Sequence, residues 1–440
     1  MAKSDPITHG RARRAIKMGE LASQVGSSYL WAQLRRPFLS ASESRQELLD
    51  THIRNAERIV ESSTHLRGAF MKLVQILSMR QDLLPGEALD VLRATQSSVP
   101  PMSYATISEQ IRRELGKRPE ALFARFEQTA FAAASLGQVH RGKLRDGRDV
   151  AIKVQYPGVE ESVQQDLQNI KLLLRTLQAI GHDVMRQKLD TNAIYHELEE
   201  RLGEELDYVN EARNMTEFGK LLSGDAEVVV PSVIGELSSR RVLTMTYLDG
   251  YPLADVLDPE VDLELRAWVA RKCHQLAWKQ ILEFGVLHTD FHPGNYLVTY
   301  HPTLAMLDFG SIRRFAEPVR KGYLQVARGI SDRDDRQIAA GMLKLDWIDR
   351  KQDPAPMVEI IHVLFEPMLV DREFDPAEYD SVQKATRVGE IALRNGLYRS
   401  PAHSVFLLRA LVGLEGIIRR LAAPLNYCQI FLECVEHAGH

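Results

Sequence analysis

The string His288-Thr289-Asp290-Phe291-His292-Pro293-Gly294-Asn295 follows a helix stop at Gly285, and Asp308-Phe309-Gly310 comes next along the chain. The gap between Asn295 and Asp308 has room for two short strands, at 296–298 and 303–307, with a turn at Pro302. A hairpin of that size returns Asp308 to the side of Asn295. Two oxygen ligands then converge on one hard cation, a donor set suited to Mg2+. A polar loop with a structural histidine would explain one or two of these residues, but not the ordered set.

Upstream, Asp146-Gly147 signals a hairpin, and the strand that returns from it carries Val150-Ala151-Ile152-Lys153. Alone, such a lysine reads as an edge-strand residue with a solvated head. Taken in order, the three strings resemble the V-A-I-K, H-x-D-x-x-x-x-N and D-F-G set of the kinase fold. That resemblance gives Lys153 the α- and β-phosphates of ATP and Asp290 the role of base or hydroxyl orienter. It gives Asn295 and Asp308 the Mg2+. A lysine suits its task as a compact point charge with three donors. A helix carboxylate must aim it, and Glu211 is the candidate; without that context Glu211 reads as a solvated helix residue. An inserted helix at 159–181 accounts for the long interval from Lys153 to Glu211.

The chain up to about residue 125 reads as helical. Leu66, Phe70, Leu73, Val74 and Leu77 recur at helical spacing. Pro85-Gly86 and Pro100-Pro101 break helices, and a helix restarts at 108–115 with Gly116 as its stop. Residues 126–155 read as a strand, a small-residue loop and a β-hairpin. Helices are expected at 159–181, 191–222 and 265–284, strands at 228–233 and 241–247, and helices again from about 319 to 434. The expected fold is α+β: a two-lobed protein-kinase-like fold with an N-terminal helical extension and inserted helices in the N-lobe. Its divisions are residues 1–125, 126–248 and 249–440. Strand order places the adenine-reading hinge at 243–248, with Met245 near the back of that pocket and Leu248 as a further contact.

Composition excludes some classes of function. The 440 residues are 45% hydrophobic and 26% charged, with a net charge of −4, so no global basic field draws the chain to nucleic acid. Cys273, Cys428 and Cys434 show no metal or redox spacing and read as ordinary thiols in a reducing compartment. No stretch has the roughly 18 apolar residues that a membrane span needs. The basic run Arg11, Arg13, Arg14 and Lys17 reads first as a solvated helix face. Its alternatives are a surface helix touching anionic membrane and a mitochondrial presequence, which Glu20 opposes.

Beyond the generic kinase set, several strings resemble the UbiB family, the AarF-domain atypical kinases linked to isoprenoid-quinone (ubiquinone) biosynthesis. Ala132-Ala133-Ala134-Ser135-Leu136-Gly137-Gln138-Val139-His140 resembles the alanine-rich loop that replaces the glycine-rich phosphate loop in that family. The resemblance implies nucleotide contacts from Ala133, Ala134, Ser135, Gly137 and Val139. Alanine reaches positive φ less readily than glycine, so such a loop is stiffer. Glu205-Leu206-Asp207, with Tyr208 and Glu211-Ala212 after it, resembles the family's Glu-x-Asp element, and Gln155-Tyr156-Pro157-Gly158 fits as well. The family's Lys-x-Gly-Gln signature reads here Lys72-Leu73-Val74-Gln75, with valine in place of glycine. In the family that lysine meets the Glu-x-Asp carboxylates and closes the place where a peptide would bind. Lys72, Gln75, Glu205 and Asp207 are therefore regulatory candidates.

The absence of a long activation segment and of an A-P-E string after Gly310 argues against a peptide substrate. The resemblance implies an ATP- and Mg2+-dependent kinase or ATPase in quinone or lipid metabolism, acting on a lipid or small-molecule acceptor. The expected partners are a quinone-biosynthesis complex or a second copy, and a peripheral membrane contact. The expected location is cytoplasmic, peripheral at the membrane, with the mitochondrial matrix as the alternative. A non-catalytic ATP-binding scaffold and a small-molecule kinase of the aminoglycoside or choline type are the competing readings.

Overall fold

The computed structural model describes residues 10–66, 101–134, 136–184, 191–376, 381–396 and 401–439, with positions 74, 87, 88 and 91. The chain divides into two compact units: Met1–Asn210 with Val233–Tyr247, and Glu211–Ser232 with Leu248–His440.

The first unit opens with helices α1 (Gly10–Arg35) and α2 (Ala41–Leu66). Leu21, Val25 and Tyr29 recur at four-residue spacing on α1, and all three are buried. Helix α3 (Tyr104–Leu115) begins earlier than the expected residue 108. Ser103 explains the difference, because its side chain accepts from Thr106 N and caps the helix. The helix stops at Gly116 as expected. Strands β1 (Arg125–Phe126), β2 (Ala132–Ala134), β3 (Gly137–Lys143) and β4 (Asp149–Gln155) follow. Then come α4 (Val159–Val184) and α5 (Thr191–Glu205).

The helix expected over 191–222 is two helices, with α6 (Tyr208–Leu221) starting afresh. The cause is Asp207, whose Oδ1 accepts from Val209 N at 3.1 Å and Asn210 N at 3.0 Å. An aspartate that takes the amides of a new first turn ends one helix and caps the next. After β5 (Val228–Val229) the chain returns to the first unit as β6 (Val242–Thr246).

The sheet runs β1-β3-β4-β6, entirely antiparallel, with β2 also on β3. One face of the inner strand β4, made by Val150, Ile152 and Val154, lies in a core with Ile107 and Ile111 of α3. A second core joins α1, α2, α4 and α5 through residues such as Val25, Ala56, Leu167 and Leu198. Val74, at 2% exposure, packs into it. Leu66 ends α2, while Phe70, Leu73 and Leu77 of the same repeat, with Lys72 and Gln75, lie outside the described residues.

The second unit holds a four-stranded sheet, β5-β10-β9-β7, and a separate pair, β11-β8. Its strands are β7 (Gly250–Pro252), β8 (Val286–His288), β9 (Tyr296–Thr299), β10 (Leu304–Met306) and β11 (Ile312–Arg314). The sequence pattern predicts β9 and β10 but passes over β7, β8 and β11, each too short to show alternation. Its longer helices are α7 (Leu263–Lys279), α8 (Glu317–Asp332), α9 (Asp335–Lys344), α10 (Ala355–Leu364), α11 (Ser381–Asn395), α12 (Ala402–Leu421) and α13 (Tyr427–His437). The expected helix 265–284 is α7 followed by one π-turn, Gln280–Phe284, ending at Gly285. Among the described residues no helix is long and apolar enough to cross a membrane.

Candidate active site

In the second unit, β8 delivers the H-x-D loop. Its last residue, His288, is buried, and Ile312 of β11 pairs with it. His288 Nε2 donates to Asp308 O at 2.8 Å, and a carbonyl only accepts, so Nε2 carries the proton. Nδ1 is then an acceptor and takes Asp290 N at 3.3 Å. One imidazole thus fixes the amide of Asp290 and the carbonyl of Asp308.

Asn295 closes the loop on itself. Its Nδ2 donates to Asp290 O at 3.0 Å and to Asp290 Oδ2 at 3.1 Å. With the amide nitrogen committed to Asp290, Oδ1 faces the other way. His292 Nδ1 accepts from Gly294 N at 3.1 Å and sets the short turn Pro293–Asn295. The β9–β10 register, Tyr296 opposite Met306, carries Asp308 back beside this turn, and Leu307 N donates to Asn295 O at 2.9 Å. Asp308 Oδ1 accepts from Gly310 N at 2.9 Å. Asp290, Asn295 and Asp308 are therefore gathered in one bonded set.

Behind the loop, Tyr296 is buried. Burial first, then the charges of Cys273 and Asp290, push its phenol well above the ordinary range.

Among the described residues no cluster of three or more His, Cys, Asp or Glu side chains could hold a metal ion. One carboxylate and one amide oxygen suit a Mg2+ that keeps water and takes phosphate oxygens as its remaining ligands.

Helix α6 supports the D-F-G segment within the second unit. Asn214 Nδ2 donates to Phe309 O at 2.9 Å, and its Oδ1 accepts from Arg314 Nη2 at 2.8 Å. Phe218 meets Phe309 with ring centroids 5.3 Å apart. Glu211, in the first turn of the same helix, is 2% exposed.

In the first unit, Lys153 lies on β4 opposite Val139 of β3 and Leu243 of β6. Its Nζ stands 5.0 Å from the centre of the Tyr208 ring, a cation–π distance. The expected small-residue loop is a tight hairpin. Ala132, Ala133 and Ala134 form β2 and pair with Val139, Gln138 and Gly137. A Cβ on Gly137 would come within 2.3 Å of Val154 O and 3.1 Å of the Tyr208 hydroxyl, so only glycine lets the hairpin lie this close to β4. Ser135, between its arms, lies outside the described residues. Met245 is buried on β6 opposite Ala151, while Leu248 is half-buried and falls in the second unit. Glu205 and Asp207 flank the break between α5 and α6, and Gln155 Nε2 donates to Leu206 O at 2.9 Å between them.

Two residues do more than the sequence reading gives them. Tyr208, named there beside the Glu-x-Asp element but without a role, sits under Lys153. Arg409 Nη2 of α12 donates to Asp290 Oδ1 at 3.2 Å. Its signal was a lone charge inside the apolar run Phe406-Leu407-Leu408-Arg409-Ala410-Leu411-Val412, where a cation needs a counter-ion.

Comparison with known proteins places these residues in context. Residues 94–342 match the family described as the ABC1 atypical kinase-like domain. The chain is 31% identical to the atypical kinase COQ8B, mitochondrial, of Rattus norvegicus, over 97% of this chain and 80% of that one. It is 30% identical to a chloroplastic aarF domain-containing protein kinase of Arabidopsis thaliana, over 90% of this chain and 54% of that one. Among solved structures, the Rv3197–erythromycin complex of Mycobacterium tuberculosis is similar with a TM-score of 0.59 at 24% identity. The match covers 89% of this chain and 97% of that one, and it speaks to the fold alone.

Proposed function

The chain belongs to the ABC1 atypical kinase-like family, and from that premise we propose that it binds ATP with Mg2+ and transfers or hydrolyses the terminal phosphoryl group in isoprenoid-quinone or related lipid metabolism. The observation that carries this reading is the closed set of bonds joining His288, Asp290, Asn295 and Asp308. Phosphoryl transfer asks a protein mainly for positioning and charge stabilisation, and this set supplies both. Asn295 and Asp308 hold Mg2+, which when bound neutralises charge on the phosphates. Asp290 orients the attacking hydroxyl or water. Lys153 takes the α- and β-phosphates, Glu211 has the orienting role that the resemblance assigns it, and the β2–β3 hairpin contributes backbone amides to the nucleotide.

The acceptor is a lipid-side or small molecule rather than a peptide. In support, β11 pairs with β8 directly after Gly310 and α8 begins at Glu317, so no extended segment intervenes to cradle a peptide. A peripheral membrane contact fits the corner between α1 and α2. There Trp31 is 64%, Leu34 65% and Phe38 88% exposed, beside Arg35 and Arg36. An aromatic and apolar tip edged by arginine suits an anionic bilayer surface.

The test is Mg2+-dependent ATP turnover by the wild type and Asp290→Asn, with and without anionic liposomes, alongside nucleotide affinity. The expected result is turnover lost in the variant with affinity kept, and turnover stimulated by liposomes. Equal rates in both proteins would sink the catalytic reading and leave a nucleotide-binding scaffold. Acceleration by a soluble amine or sugar alcohol would move the assignment to a small-molecule kinase.

A further inference from the structure

We propose that Arg409 is the positioning residue for Asp290, so that the C-terminal helix α12 is a working part of the phosphoryl-transfer site. This deepens the function proposed above and rests on it.

The argument begins with the two oxygens of one carboxylate. Asp290 Oδ2 takes a hydrogen bond from Asn295 at 3.1 Å, and Oδ1 takes one from Arg409 at 3.2 Å. A carboxylate held at one oxygen still turns about its Cβ–Cγ bond. Held at both, from two different elements, it keeps one plane and one direction. Asn295 is local to the loop, whereas Arg409 is 119 residues away along the chain. The pose of Asp290 is therefore completed by a tertiary contact.

The pair is not an ordinary surface ion pair. The Arg409 side chain is 15% exposed and that of Asp290 29%. Partly withdrawn from water, the contact is screened less than one in open solvent. Arg409 lies between buried Leu407 and Ala410 on its own helix. Its Nε is buried and has no hydrogen-bond partner.

The helix is also fitted to this loop. Gly413, one turn beyond Arg409, lies against the residue next to Asp290: a Cβ there would meet Phe291 O at 2.7 Å. On the other side, the Arg313 guanidinium stands 4.5 Å from the centre of the Phe406 ring. Helix α12 thus touches both the loop that carries Asp290 and the strand that follows the D-F-G segment. It lies outside residues 94–342, the span that the family match covers, so the match assigns Arg409 no role.

The experiment uses the full chain and four forms: wild type, Arg409→Gln, Arg409→Lys and Asp290→Asn, with the Arg409→Gln/Asp290→Asn double variant to close the cycle. Each is measured for kcat and KM with ATP and for unfolding in urea. Loss of orientation at a reacting group costs on the order of 10- to 100-fold in rate. The expectation is a kcat loss of about that size in Arg409→Gln, an unchanged KM for ATP, and partial recovery in Arg409→Lys. On whatever residual turnover Asp290→Asn retains, the Arg409→Gln change adds little, because the two residues act as a unit. A wild-type kcat in Arg409→Gln, a loss that multiplies on the Asp290→Asn background, or a lysine no better than glutamine overturns the proposal.

If Asp290→Asn itself leaves turnover untouched, the phosphoryl-transfer reading fails instead. The urea cycle then reads the contact alone, and additive unfolding effects overturn it. Should Arg409→Gln not fold, Arg409→Lys, which keeps the charge, carries the kcat comparison.

Discussion

Mild acid should destabilise the second unit through one buried imidazole. His274 on α7 is 3% exposed, and its Nδ1 has no hydrogen-bond partner. The Tyr427 ring lies 5.2 Å from it and the Trp278 ring 6.0 Å. Burial pushes the imidazole from the ordinary 6.5 down to about 3. The folded protein therefore refuses a proton that the unfolded chain accepts. Stability is fully present above 6.5 and is lost as pH falls from there toward 3. Each pH unit in that window costs about 1.4 kcal/mol. Between pH 7 and pH 5 the loss from this one group is about 2 kcal/mol, after allowing for partial titration near 6.5. The comparison protein is His274→Phe, which keeps a ring beside Trp278 and Tyr427 and removes the titration. Every other histidine is common to both proteins and cancels in the difference. Urea unfolding followed by tryptophan fluorescence at pH 7, 6 and 5 reads the effect, since Trp278 is a neighbour. The wild type should lose about 2 kcal/mol more than the variant across that range. Parallel pH profiles would refute the reasoning, because they would mean that the ring is protonated without penalty in the folded state.

Three further outcomes follow from named contacts. Asn214→Ala removes the bond to Phe309 O and leaves that carbonyl unmet, at a cost of about 2 kcal/mol; hydrogen exchange at Gly310 should quicken, and unchanged exchange would count against the link. Asp207→Ala removes the acceptor at the start of α6 and costs about 1 kcal/mol in urea unfolding; no change would mean that the break between α5 and α6 is held elsewhere. All three cysteines are buried, with the Cys273 and Cys434 thiols pushed up to about 12 by burial. A thiol reagent at pH 8 should therefore label none of them in the folded protein and all of them in denaturant, and rapid labelling of the native chain would contradict that burial.

Much of the architecture is legible without coordinates, and the reason differs from place to place. Strands β9 and β10 are readable because the interval from Asn295 to Asp308 admits little besides a hairpin. Helix α4 is readable because Val163, Leu167, Ile170 and Leu174 keep helical spacing, and all four are buried. The short strands β7, β8 and β11 are not readable, since three residues carry no period. The break at Asp207 escapes for another reason. A third acidic residue after Glu204 and Glu205 in an expected helix carries no stop signal of its own, and only the orientation of its side chain toward Val209 N and Asn210 N shows a cap. The hairpin at Ala132–Ala134 escapes as well, because alanine favours neither strand nor loop strongly enough to decide.

What the sequence alone determined is the order of the chemistry: Lys153 on a strand, then Asp290 and Asn295 in one loop, then Asp308 after a hairpin. Those residues are near one another in the chain or tied to short, regular elements, so spacing carries their geometry. The tertiary structure alone decided what holds them. His288 bridges Asp290 and Asp308, Asn214 pins Phe309, Tyr208 underlies Lys153, and Arg409 completes Asp290 from 119 residues away. Contacts of that kind join side chains across loops of arbitrary length, and no local period or propensity records which distant residue will meet which.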